Sequence, residues 1–180
     1  VGNIRPVLFS SSADPKENLS GRDFLTWMWY HSETAQGEVK AGKVEYNCLV
    51  EGTFTFASSD DSEGSIETAL RRGSPAKSAE AKAALAVGKK LKKAKLTIAR
   101  GKEVWSASFN ADTFGFSSLS LPEGENLAPI SGFEERIRFI NDFHSVIIEY
   151  QRLFISSLKA KTWKDEQKKI IRWAEEKESL

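Results

Sequence analysis

Apolar and polar positions along this chain change period several times, and each change marks an element. After a polar, Pro-containing lead-in over residues 1–19, whose first nine residues could form a short strand, Ser20 offers a helix cap with Asp23 three residues on. Phe24, Leu25, Trp27, Met28, Trp29 and Tyr30 then crowd one helix with apolar side chains on more than one face, a composition that belongs in a core or an interface. Glycines at 37 and 42 predict a break, and residues 44–56 follow with period-2 alternation that puts Tyr46, Cys48, Val50, Phe54 and Phe56 on one side of a strand. An acidic turn containing Asp60, Asp61 and Glu63 leads to a return strand over 65–70.

Beyond Ser74-Pro75, residues 77–87 are Ala-rich and helical by propensity, with Gly88 as their stop. Leu96 and Ile98 alternate with Lys95 and Thr97, Arg100-Gly101 turns the chain, and Trp105, Ala107 and Phe109 alternate again, which predicts an antiparallel hairpin with Lys93 and Lys95 pointing away from the core. A further strand is expected over 113–121 and a loop over 122–129. From Ser131 onward the spacing of Phe133, Ile137, Ile140, His144, Ile147, Gln151, Phe154 and Leu158 predicts one long helix with a mostly apolar stripe. Thr162 and Asp165 open a last helix carrying Trp163, Ile170, Ile171 and Trp173. The fold class expected is α+β: an antiparallel sheet with packed helices over 20–130, then a C-terminal helical pair over 131–180.

Composition narrows the class. The 180 residues are 40% hydrophobic and 11% aromatic, enough for a core, and the single cysteine rules out an internal disulfide and fits a reducing compartment. No apolar run reaches the ~20 residues of a membrane span, and the first residues lack a signal-peptide pattern, so a cytoplasmic, non-membrane protein is expected. The chain starts at Val1 without methionine, from which upstream residues are expected.

Charge changes the picture most. Residues 71–102 hold eleven basic side chains and one acid, so a net +10 segment sits in a net −9 remainder although the whole chain is +1. Concentrated positive charge draws polyanions by releasing their condensed counterions, which makes nucleic acid the first partner to consider; a merely solvated Lys-rich surface is the alternative. Arg71, Arg72, Lys77, Lys89, Lys90, Lys92, Lys93, Lys95, Arg100 and Lys102 are the candidate DNA-binding residues, expected to touch phosphates.

Catalytic chemistry finds less support. Asp60, Asp61 and Asp112 could hold a nuclease metal, and Glu80-Ala81-Lys82 has an E-x-K form, but in a segment whose propensity is helical. The acidic turn lacks the ligand spacing of a calcium loop, no phosphate-binding glycine loop occurs, and His31 and His144 stand without partner ligands. No cofactor, no metal and no catalytic residue is assigned.

Three stretches carry a family resemblance. S-G-R-D-F-L-T-W-M-W-Y-H-S-E over 20–33, E-A-K-A-A-L-A-V-G-K-K-L-K-K-A-K-L over 80–96, and the F-x-x-R start at Phe133 to Arg136 together resemble the C-terminal half of the recombination-associated protein RdgC family. The resemblance implies a non-enzymatic protein that binds double-stranded DNA without sequence preference, forms a ring-shaped homodimer with a positive lining, associates with the nucleoid and restrains RecA. By match, Arg71 and Arg72 take the place of a basic pair ahead of the helix, and Gly88, Lys89 and Lys93 fall on the family's G-K and strand-lysine positions; serines within 116–121 stand where relatives carry basic residues. Against this reading stand a metal-dependent nuclease using Glu80 with Asp60 and Asp61, and a dimerisation fragment that binds an acidic protein.

Overall fold

A computed structural model describes residues 21–35, 37–57, 68–70, 79–124, 129–160 and 163–175. Among these, six strands form one antiparallel sheet and four helices accompany it, in the order α1 (Gly21–Thr34), β1 (Glu38–Ala41), β2 (Val44–Ala57), β3 (Thr68–Leu70), α2 (Ala79–Ala86), β4 (Lys90–Arg100), β5 (Glu103–Asn110), β6 (Gly115–Ser120), α3 (Pro129–Lys159) and α4 (Trp163–Glu175). The α+β class and the two C-terminal helices agree with the sequence reading. Its expected lead-in strand, its acidic turn and its Ser20 and Thr162 caps lie outside the described residues.

The strand order is β1-β2-β4-β5-β6. Strand β2 is long enough to pair with β4 along one edge and, along the other, with β1 at its start and β3 at its end, where Phe54 faces Leu70. The short strand β1 replaces the break expected between the two glycines. Gly37 turns the chain with φ +68, and a Cβ there would stand 2.1 Å from the Cys48 carbonyl oxygen, so the close approach that allows the Cys48 N–H to reach the Gly37 carbonyl at 2.8 Å requires glycine. Four residues then suffice for a strand because β2 is there to pair with them.

Alternation puts one face of the sheet in the core. Tyr46, Cys48, Val50, Phe54 and Phe56 of β2, Leu96 and Ile98 of β4, and Trp105, Ala107 and Phe109 of β5 are all buried. Helix α1 lies on this face and is enclosed on all sides, which is why six consecutive residues from Phe24 to Trp29 are buried. Its hydroxyls meet backbone groups of the sheet, Thr26 accepting from the Leu91 N–H at 3.0 Å. Trp29 packs against Phe54 at 5.1 Å and Trp173 of α4 at 4.9 Å, while Phe154 of α3 contacts both Phe24 and Trp27 at 5.4 Å. The sheet, α3 and α4 therefore share one core.

Helix α3 corrects one expectation. Its buried side is Phe139, Phe143, Val146, Ile147, Tyr150 and Phe154, whereas Phe133, Ile137, Ile140 and His144, the first half of the expected stripe, are exposed. Two overlapping 3-to-4 patterns run along this helix, and the sheet takes the one offset toward Phe139: the Trp105 indole donates to the Phe139 carbonyl at 2.9 Å, and Phe143 meets Phe116 of β6 at 5.3 Å.

Candidate nucleic-acid interface

Strand β4 supplies most of the described basic candidates, and its irregularity decides where they point. Thr55 faces Lys93 but Phe56 faces Leu91, so Lys92 is an extra residue in a β-bulge. Leu91 and Ala94 both stay in the core despite being three apart, and regular alternation resumes with Leu96 and Ile98 inside and Lys95 and Thr97 outside.

The positive charge divides into two sets. Lys90 Nζ lies 2.7 Å from Asp23, and Lys92 Nζ lies 3.3 Å from Asp112, which also receives Arg22 at 2.6 Å. These pairs fasten the start of α1 to the sheet. The Arg22 hydrogen bonds, aided by Lys92, hold the Asp112 carboxyl below its ordinary range. Arg100 is committed further: it reaches Glu103 at 2.6 Å, the Tyr46 hydroxyl at 3.0 Å and Asp142 of α3 at 2.9 Å, with its guanidinium 5.4 Å from the ring centres of both Tyr46 and Trp105. The Asp142 contact is too bent for a hydrogen bond, so that buried oxygen is held by charge alone.

The second set faces solvent. Lys93 and Lys95 are exposed on the sheet face opposite the helices, and Lys102 is exposed in the turn between β4 and β5. Lys89 is half-buried just after Gly88, with its N–H bonded to the Ala84 carbonyl at 3.0 Å. Arg71, Arg72 and Lys77 lie outside the described residues.

Hydroxyl and amide side chains surround Lys93 and Lys95. In successive rows across β2, β4, β5 and β6, Thr55, Lys93 and Asn110 align with Gly115; Glu51, Lys95 and Ser108 align with Ser117; Leu49, Thr97 and Ser106 align with Ser120. Glu51 is occupied in part by the Thr97 hydroxyl, which donates to it. Apolar character on this face gathers toward the β4–β5 turn, at Leu49, Ala99 and Val104. The sequence reading found the two lysines but missed this field of short donors, although Ser106, Ser108 and Asn110 alternating with Trp105, Ala107 and Phe109 was the signal for it.

Apart from Glu80 and Lys82, the described residues considered for catalysis sit on separate elements or turns. Glu80 and Lys82 sit on helix α2 with the fully buried Ala81 between them, and the Lys82 ammonium lies 5.2 Å from the centre of the Trp173 ring. Two positions apart on a helix, their side chains diverge by about 160°. Asp60 and Asp61 lie outside the described residues, and Asp112 is engaged by Arg22 and Lys92. His31 packs against Trp27 with ring centres 4.2 Å apart and planes tilted by 46°, and burial lowers its pKa against the opposing pull of Glu166. Among the described residues no three His, Cys, Asp or Glu side chains are grouped to hold a metal, and no helix is long and apolar enough to cross a membrane. No family model, curated protein or solved structure matches this chain.

Proposed function

We propose that this chain binds double-stranded DNA without sequence preference through the open face of its sheet, as a non-enzymatic homodimer. Its implied setting is the nucleoid of the cytoplasm, where it restrains RecA in homologous recombination. The observation that carries the binding part is the placement of Lys93 and Lys95, exposed on a face that none of the described helices covers and set among Ser, Thr and Asn side chains. Ammonium groups neutralise phosphates as point charges, and short hydroxyl and amide groups donate to phosphate oxygens; neither reads a base edge from a shallow sheet surface. The recombination setting rests on the resemblance of residues 20–33 and 80–96 to the RdgC family.

The experiment is a salt series of binding to mixed-sequence duplex. Lys93→Glu together with Lys95→Glu should weaken binding to every duplex alike and reduce the slope of log K against log salt by about 2, near 0.9 for each phosphate no longer neutralised. Glu51→Gln should tighten binding, since it removes the acid beside Lys95. Equal affinity of the double variant and the original chain at two salt concentrations refutes the assignment of this face. Magnesium- or manganese-dependent release of nucleotides, abolished by Glu80→Gln, would establish the nuclease alternative. An acidic protein that mixed-sequence DNA fails to displace would favour the third reading.

A further inference from the structure

Helix α3 carries two apolar sides, and among the described residues only one of them is covered. Ile130, Phe133, Ile137, Ile140, His144 and Ile148 recur at intervals of three and four, which confines them to about 80° of the helix circumference along about 27 Å of its length. All six are exposed, Ile130 by 78% and Phe133 by 66%. Phe143, whose ring rests on Phe116 of β6, lies beside Ile140 on the helix, so the stripe adjoins the core at the last strand of the sheet.

Strand β6 extends the same surface. A register shift between Ser106 and Ser108, with Ser118 at φ +55, marks a bulge in β6, and because of it Phe116 and Leu119, three residues apart, both point to the helix side. They are exposed by 37% and 39%. The bulge also interrupts the row of backbone groups that a pairing strand would need, which disfavours continuation of the sheet and leaves packing of side chains on side chains.

We propose that this surface receives the same surface of a second copy of the chain, α3 packing on α3 about a two-fold axis with Phe116 and Leu119 at the flank. Three arguments select a second copy. The exposed part of the seven apolar side chains amounts to roughly 650 Å² per copy, beyond what a monomer ordinarily leaves in one patch and near the ~800 Å² per partner of a stable dimer. The 3-4 recurrence is the pattern by which one helix packs along another at about 20°. A two-fold contact requires only that one patch complement itself, and a straight apolar stripe does so. The inference gives a place to the homodimer proposed above and rests on that part of the reading; it does not depend on DNA.

Light scattering and sedimentation equilibrium on the 180-residue chain test it. The original chain should weigh about 40 kDa, twice 20.1 kDa, at micromolar concentration. Ile137→Glu with Ile140→Glu should raise the dissociation constant by at least about 100-fold with unchanged circular dichroism, because both side chains are exposed in the single chain. Phe133→Lys is a second, independent variant with the same expectation, and Lys93→Glu with Lys95→Glu should remain dimeric. A dimer untouched by the α3 variants overturns this surface while leaving dimerisation intact. A chain that stays at 20.1 kDa up to about 100 µM overturns both, and DNA titration of the same samples reports separately on the open face.

Discussion

Replacing Arg100 by methionine separates a structural cation from a DNA-contacting one. The change keeps most of the aliphatic stem and removes the guanidinium that lies over the Tyr46 and Trp105 rings and meets Glu103, Asp142 and the Tyr46 hydroxyl. The side chains of Arg100, Glu103 and Asp142 are 24%, 30% and 23% exposed. Breaking a fully buried ion pair costs about 3–5 kcal/mol and an exposed one under about 1 kcal/mol. Partial exposure places this cluster between them, and Arg138, 3.7 Å from Glu103, offers some compensation. A loss of about 2 kcal/mol is therefore expected, which for a chain of this size lowers Tm by about 4–8 °C. Thermal unfolding followed by circular dichroism measures it, and a double-mutant cycle with Asp142→Asn should show coupling of about 1 kcal/mol or more. Well below Tm, the salt slope of DNA binding should be unchanged. A Tm within about 2 °C of the original, or a salt slope reduced by about one, would show that Arg100 is spent on phosphate and not on holding α3 to the sheet.

Cys48 is fully buried and burial pushes its thiol up to about 12, so thiol reagents should label it only as fast as the chain unfolds; labelling in native buffer as rapid as in denaturant contradicts this burial. His31 has its pKa lowered in the folded chain from the ordinary 6.5, so unfolded chains bind the proton more readily. Stability should accordingly fall as pH drops below about 6.5 toward the folded value, and Asp112, whose pKa is also depressed, adds a loss only at lower pH, below the ordinary carboxylate range. Urea midpoints at about pH 7.5 and about pH 5.5 should differ less for His31→Gln than for the original chain, and equal differences would refute the assignment to His31.

Local pattern was sufficient for the elements whose own residues choose their conformation. The alternation of β2, β4 and β5, the Ala-rich α2 and the crowded apolar α1 are legible in the chain because period and composition act over neighbouring residues. So is the outward placement of Lys93 and Lys95, which follows from the inward placement of Ala94 and Leu96. What tertiary structure alone decided involves partners far apart in sequence. Strand β1 exists because β2 pairs with it, and a four-residue segment has no stability of its own. Lys90, Lys92 and Arg100 look in sequence like Lys93 and Lys95, yet Asp23, Asp112 and Asp142 meet them across the fold. In α3 the sequence holds two apolar stripes of nearly equal merit, and periodicity cannot rank them. The sheet ranked them by burying Phe139 and Phe143, which left Phe133, Ile137 and Ile140 exposed among the described residues, a choice that only contacts far apart in sequence could make.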